Sequence, residues 1–265
     1  MNETLTRTLS GIVYIIILIS ATLYFNTFLL LFGIFLILAV IEFCKLVHIK
    51  YAIPIAIAIS GYLLYSFFEI SKTTEILLLA ATLFVSIKCI FFMFEQREKL
   101  DVVSKYVYLI GYVILPIILI TKIPFSGKEY EPKIIIGIFI LIWTNDTFAF
   151  LVGKNFGKTK LFQRISPKKT VEGFFGGLIF ALAFSITIAN FFTEQPVYIW
   201  ITISLIVSII GTIGDLVESA FKRFAGVKDS GKIMPGHGGI LDRLDSVLFV
   251  APFVFLFYQI LNYVS

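Results

Sequence analysis

The chain has 265 residues, of which 58% are hydrophobic and only 15% charged, and its mean hydropathy is +0.97. A water-soluble core cannot hide that much apolar side chain, so a soluble globular fold is excluded and lipid is the solvent for most of the chain. The formal charge of +5 is modest; in a membrane protein it reflects topology and anionic lipid, and it does not indicate a nucleic-acid partner.

Apolar runs of roughly 20 residues, long enough at about 1.5 Å per residue to cross a hydrocarbon core, recur along the whole sequence. They predict an all-α, polytopic integral membrane protein with about nine transmembrane helices, at 8–25, 27–44, 52–69, 75–94, 105–121, 134–153, 171–193, 196–220 and 242–263. The first run follows Arg7 and has no small-residue cleavage site, so it is read as a retained span and not as a signal peptide. Asn26 and Glu194–Pro196 mark tight turns. The expected organisation is a single membrane domain over 1–265, with N-terminal spans in 1–121, C-terminal spans in 134–265 and polar loops at 154–170 and 221–241. Cys44 and Cys89 have no partner at metal-ligand or CxxC spacing and are expected to be packing residues.

Lys and Arg are distributed unevenly between the two sides. The N-terminal segment and the loops after spans two, four, six and eight carry 17, the opposite side carries Lys72, Lys122, Lys128 and Lys133, and Lys88 inside span four completes the 22. By the positive-inside rule the N-terminus and both long basic loops face the cytoplasm, as in a bacterial-type inner membrane. Lys88 lies about two turns from that face, within reach of a snorkelling side chain.

This topology puts Glu42, Asp146, Glu172, Asp215, Glu218, Asp242 and Asp245 toward the cytoplasmic leaflet. Asp146 follows Thr144 and Asn145 in an apolar helix, where an unpaired carboxylate is expensive and calls for a partner, a metal or a water-filled cavity. Asp215 and Glu218 are three apart, as are Asp242 and Asp245, so each pair shares a helix face. Oxygen ligands from two helices suit Mg2+, whereas acids at a helix start also serve as caps; for Asp242 and Asp245 the spacing leaves both readings open. Around them, Lys222, Arg223, Lys228 and Lys232 alternate with the glycines of Pro235-Gly236-His237-Gly238-Gly239, and Ser166-Pro167-Lys168-Lys169-Thr170 opens span seven. Cations with glycines beside a helix N-terminus suit phosphate. For Lys154, Lys158 and Lys160 topology alone is a sufficient reason. Ser166 and Ser219 stand in no relay with a histidine and an acid. Gly176-Gly177 and Gly211/Gly214 are expected to be helix-packing sites.

Ser219-Ala220-Phe221-Lys222-Arg223, Lys228-Asp229 and His237-Gly238-Gly239-Ile240-Leu241-Asp242-Arg243-Leu244-Asp245 resemble the C-terminal signature of the CDP-diacylglycerol synthases, or phosphatidate cytidylyltransferases. Met234 stands where the family pattern has Leu, Ile or Phe, a volume-conserving swap. Asn145-Asp146, Ser166 through Gly173, Gly176-Gly177 and Gly214 through Ser219 resemble the family too; the first hundred or so residues do so only in being spans. The resemblance implies cytidylyl transfer from CTP to phosphatidate by a homodimer in membrane lipid, with Mg2+ and room for a monovalent cation such as K+. It implies Asp215 and Asp242 as metal ligands with Asp245 beside them. Lys168, Lys169, Lys222, Arg223, Lys228 and His237 are then expected at phosphate, Asp146 and Arg243 among the catalytic groups, and Ser166, Ser219, Gly238 and Gly239 at substrate. A CTP-dependent polyprenol or phytol kinase would differ in its products. A transporter would carry its polar groups near the midplane.

Overall fold

A computed structural model describes residues 3–95, 99–125 and 129–264 of the chain; Arg97 and Lys128, both counted in the charge asymmetry, lie outside the described residues. All nine expected segments are helical. They are α1 (Glu3–Thr22), α2 (Phe25–Leu46), α3 (Ala52–Phe67), α4 (Lys72–Phe94), a segment of α5 (Val102–Tyr108) and α6 (Leu115–Ile120) joined by a π-helical stretch (Leu109–Ile114), α7 (Pro132–Phe156), α8 (Val171–Phe191), α9 (Val197–Phe224) and α10 (Leu241–Val264). Eight are long and apolar enough to cross a membrane, and α3, with 16 residues, is shorter. The protein is a multi-pass, all-α membrane protein.

Local chemistry sets several helix starts. Ser71, Asp101 and Thr170 each accept a hydrogen bond from the backbone N–H three residues on, at 3.2, 3.1 and 3.1 Å, which satisfies one of the free donors of a first turn. The π-helical stretch precedes Pro116, which has no N–H for the carbonyl of Tyr112, and the wider turn absorbs that misfit.

Contacts between distant segments show that the helices run alternately up and down. At one end, Ser10 of α1 meets Pro235, Lys105 meets His48, and Arg164 meets Met93 at the end of α4. At the other, Tyr130 meets Thr22, Lys122 lies over the Tyr65 ring, and Tyr258 meets Gln195. The first of these ends carries the polar segments, and Lys88 sits near it, half-buried with its Nζ 5.9 Å from the Phe84 ring centre.

Two seams position the polar end. The fully buried Phe221 of α9 packs on Phe92, Phe43, Tyr108 and Tyr112, with ring centres 4.6 to 5.5 Å away, which ties α2, α4 and α5 to α9. Glycines let the other helices close up: a Cβ on Gly176 would overlap Val152 of α7, and one on Gly214 would overlap Phe249 and the Asp245 carbonyl of α10.

α7 and α9 run furthest past their expected C-terminal ends. α7 reaches Phe156 and α9 reaches Phe224, so Lys154 is helical and Lys222 and Arg223 occupy the last turn of α9. Between α7 and α8 the chain forms an antiparallel hairpin of β1 (Lys160–Phe162) and β2 (Ser166–Thr170) that leads straight into α8. Strands this short, rich in lysine, carry no hydrophobic alternation to announce them.

Candidate active site

At the polar end, α1, α7, α8, α9, α10 and the hairpin surround a cavity of about 790 Å3, a usual size for a small-molecule site. Part of its wall is apolar, including Ile15, Phe139, Ile142, Trp143 and Phe150; the rest carries Asp146, Asp215, Asp242 and Asp245 together with Lys154, Lys160, Lys168, Lys169 and Arg243. Trp143 thus faces the cavity, whereas the second tryptophan, Trp200, is fully buried against Gly137.

The acids come from three helices. Asp146 of α7 is exposed to the cavity and receives a 3.3 Å hydrogen bond from the Asn145 amide. Asp215 of α9 is half-buried and pairs through Oδ2 with Lys169 Nζ at 2.5 Å, while the Ser219 hydroxyl lies 3.4 Å from Oδ1. Asp245 of α10 accepts from its neighbour's N–H, Ser246, at 2.7 Å. The close contact at Gly214 sets Asp215 beside Asp245, an arrangement of like charges that needs cations.

Behind this wall lies a buried network. Lys222 Nζ sits between Glu218, fully buried, and Asp242 Oδ1 at 2.7 Å. Asp242 Oδ2 accepts from Gly239 N–H at 2.7 Å and from the N–H and hydroxyl of Ser230, both at 2.9 Å. Glu42 reaches in from α2 and accepts from Ile240 N–H at 3.1 Å, Leu241 N–H at 2.8 Å and the Ser230 hydroxyl at 3.1 Å. The free amides at the start of α10 are therefore capped by Glu42, while Asp242 gathers the loop that precedes the helix.

In that loop Gly236 and Gly238 adopt φ of 75° and 86°, values that only glycine takes without strain. They flank His237, whose Nδ1 lies 2.7 Å from the Ser10 hydroxyl of α1; that hydroxyl also donates to the Pro235 carbonyl at 2.9 Å. Partial burial and the nearby charges of Arg243 and Arg7 hold the His237 imidazole below its usual pKa, so the ring is neutral near pH 7.

Of the residues singled out in the sequence, Asp146, Ser166, Lys168, Lys169, Asp215, His237, Asp242, Arg243 and Asp245 line the cavity. Lys222, Ser219, Gly238 and Gly239 support it from behind. Arg223 points elsewhere, donating to the Ile165 carbonyl at 3.3 Å and the Val227 carbonyl at 2.9 Å, and so braces the hairpin against the loop after α9. Lys228 is exposed and off the cavity wall. Lys154 and Lys160, which topology alone would explain, do line the cavity; Lys158 does not. Sequence reasoning gave no role to Glu42, Ser230, Ser10 or Trp143. A lone acid in an apolar run was the one available signal, at Glu42.

Among the described residues no three Asp, Glu, His or Cys side chains stand close enough to enclose a metal by themselves. Mg2+ does not require that, since it usually takes one or two carboxylates and fills its octahedron with water and phosphate. Asp215 and Asp245 each have an oxygen not taken by a cation or a backbone N–H, and Asp242 Oδ1 has a second lone pair beside Lys222. The donor set fits.

Carboxylates and lysines that share one cavity at one end of a helical membrane bundle make a site suited to phosphate-bearing ligands. The chain belongs to the cytidylyltransferase family, whose profile, described as "Cytidylyltransferase family", matches residues 5–261. It is 44% identical over 199 residues to a phosphatidate cytidylyltransferase of Bacillus subtilis (strain 168), covering 72% of this chain and 71% of that one. It is 53% identical over 116 residues to a protein of the same name from Staphylococcus haemolyticus (strain JCSC1435), a match that spans 43% of this chain and 44% of that one.

Proposed function

We propose that the chain transfers the cytidylyl group of CTP to phosphatidate, forming CDP-diacylglycerol and releasing pyrophosphate, at the cavity between α7, α9, α10 and the hairpin. The observation that carries this reading is the wall itself: carboxylates from three helices face hairpin lysines at one end of an apolar bundle, where a lipid headgroup and a soluble nucleotide can meet.

The attacking atom is an oxygen of the phosphatidate phosphate, which is mostly dianionic at neutral pH because its second pKa is about 6. It forms a bond to the α-phosphorus of CTP as the bond from that phosphorus to the bridging oxygen breaks, and the electron pair leaves with pyrophosphate. No proton has to be removed from the nucleophile, so positioning and charge neutralisation dominate the barrier. Lys168, Lys169 and Arg243, with Lys154 and Lys160 at the rim, offset the negative charge of the two substrates. His237, neutral, offers a hydrogen bond, and Asp146 orients a lysine or the nucleotide. Two carboxylates of the set Asp215, Asp242 and Asp245 would hold Mg2+, with water and phosphate completing its shell, and the ion would supply charge neutralisation at the α-phosphate. Exchanging K+ for Na+ in the assay tests the monovalent ion. The charge asymmetry supports an orientation with this end of the bundle at the cytoplasm, in a bacterial-type inner membrane, and the family resemblance supports a homodimer.

Detergent-purified protein given CTP, phosphatidate and Mg2+ is expected to release pyrophosphate and form CDP-diacylglycerol. Release of CDP with a phosphorylated alcohol would make it a kinase, and no turnover with any lipid would leave the transporter reading. For orientation, a cysteine replacing the exposed Lys228 should react with an impermeant reagent in inside-out vesicles and not in right-side-out ones.

A further inference from the structure

Glu42 belongs to the half of the chain that carries none of the signature residues. It is 1% exposed on the apolar helix α2, where a carboxylate without partners would be costly. Its hydrogen-bond partners among the described residues lie in one short stretch of the C-terminal half: the N–H groups of Ile240 and Leu241 and the hydroxyl of Ser230. These include free amides of the first turn of α10, a site that favours an anion.

Two glycines make the space for it. A Cβ on Gly231 or on Gly239 would run into the Glu42 carboxylate, and neither glycine has the positive φ that would demand glycine on conformational grounds. The same atoms then hold Asp242. Ser230 has one hydroxyl proton and two carboxylate neighbours, Glu42 Oε2 at 3.1 Å and Asp242 Oδ2 at 2.9 Å, and its N–H and that of Gly239 both donate to Asp242 Oδ2. Every donor to Asp242 Oδ2 thus comes from a residue that Glu42 either bonds or abuts.

We propose that Glu42 is a positioning residue of the transfer reaction: it fixes the N-terminus of α10 and the loop from Ser230 to Gly239, so that Asp242 and Asp245 keep their places on the cavity wall. This rests on the cytidylyl-transfer reading of the cavity. The role needs a carboxylate, because all three partners are donors and both oxygens accept. A glutamine of the same shape would turn an NH2 toward at least one of them, losing an acceptor and setting donor against donor.

The test is Glu42→Gln in the full chain. The kcat for pyrophosphate release is expected to fall by about 10- to 100-fold, with KM for CTP and for phosphatidate within about threefold of wild type. Amides 239–241 should exchange hydrogen faster than in wild type while the remainder of α10 keeps its protection. Gly231→Ala, which leaves the carboxylate in place and crowds it, provides a second route to the same kcat loss; combined with Glu42→Ala it should do little further harm, because the carboxylate is gone and only the 3.1 Å approach to the Gly239 Cα remains. Wild-type kcat and wild-type exchange in Glu42→Gln would overturn the proposal. So would loss of protection throughout the bundle in step with activity, which would mark a merely structural residue. Absence of pyrophosphate release by the wild-type protein removes the parent reading and this one with it, whereas the exchange pattern reports on the α10 cap in either event.

Discussion

Asp242 and Asp245 are three residues apart, and the structure gives them different duties. Asp242 is bonded on both oxygens to Lys222, Ser230 and Gly239, whereas Asp245 faces the cavity with a single backbone partner. Asp245→Asn and Asp215→Asn are therefore expected to lose cytidylyl transfer by about 100-fold or more and to melt near the wild-type temperature, while Asp242→Asn loses activity and also melts lower. Lys222→Met leaves Glu218 and Asp242 facing each other unpaired, and removing one partner of a buried ion pair costs about 3–5 kcal/mol; thermal unfolding in detergent checks it. His237 adds a pH dependence of known sign. Its folded pKa is below the unfolded value of about 6.5, so its contribution to stability is present above that pH and is lost as pH falls through the lower folded pKa. Melting temperatures measured across that window should fall less steeply in His237→Gln than in wild type.

Among the elements, the hairpin carries most of the cavity lysines. It delivers Lys168 and Lys169 to the cavity, yet its strands are only three and five residues long. It is held from outside: Arg164 donates to the carbonyls of Met93 at 2.7 Å and Glu95 at 3.4 Å, and Glu172 accepts from the N–H groups of Lys158 and Thr159 at 3.0 and 3.1 Å. Arg164→Ala is expected to lower kcat/KM for CTP by about tenfold with little change in melting temperature, since misplacement of a binding group costs rate before it costs stability. The helices were legible in the sequence because an apolar run of this length in lipid has no alternative that satisfies its backbone. The hairpin was not, because a short lysine-rich segment looks like any solvated loop. The extensions of α7 and α9 were equally hidden, since Lys154, Lys222 and Arg223 read as the end of a hydrophobic run when they are the last turn of a helix.

For the whole molecule, the signature residues of the C-terminal half named the chemistry, and the N-terminal half looked like filler. The structure shows it otherwise occupied: Glu42 meets Ile240 across 198 residues of sequence, and Ser10 meets His237 across 227. Pairings at that separation leave no periodicity or spacing to read, so a lone acid and a lone serine in apolar runs were uninterpretable until the fold brought them to their partners. A chain divided between Phe125 and α7 should show the dependence directly. The C-terminal piece alone is expected to be inactive, and co-expression of both pieces in one membrane should restore activity, as measured by pyrophosphate release.

The placement of the two tryptophans makes the molecule its own optical probe. Emission from Trp200 is sealed from anything that enters the cavity, whereas Trp143 stands on its wall. Phosphatidate carrying bromine along its acyl chains should therefore dim roughly the Trp143 share of the fluorescence, and the Trp143→Phe protein supplies the constant background, so that lipid occupancy can be followed in real time without any label on the protein.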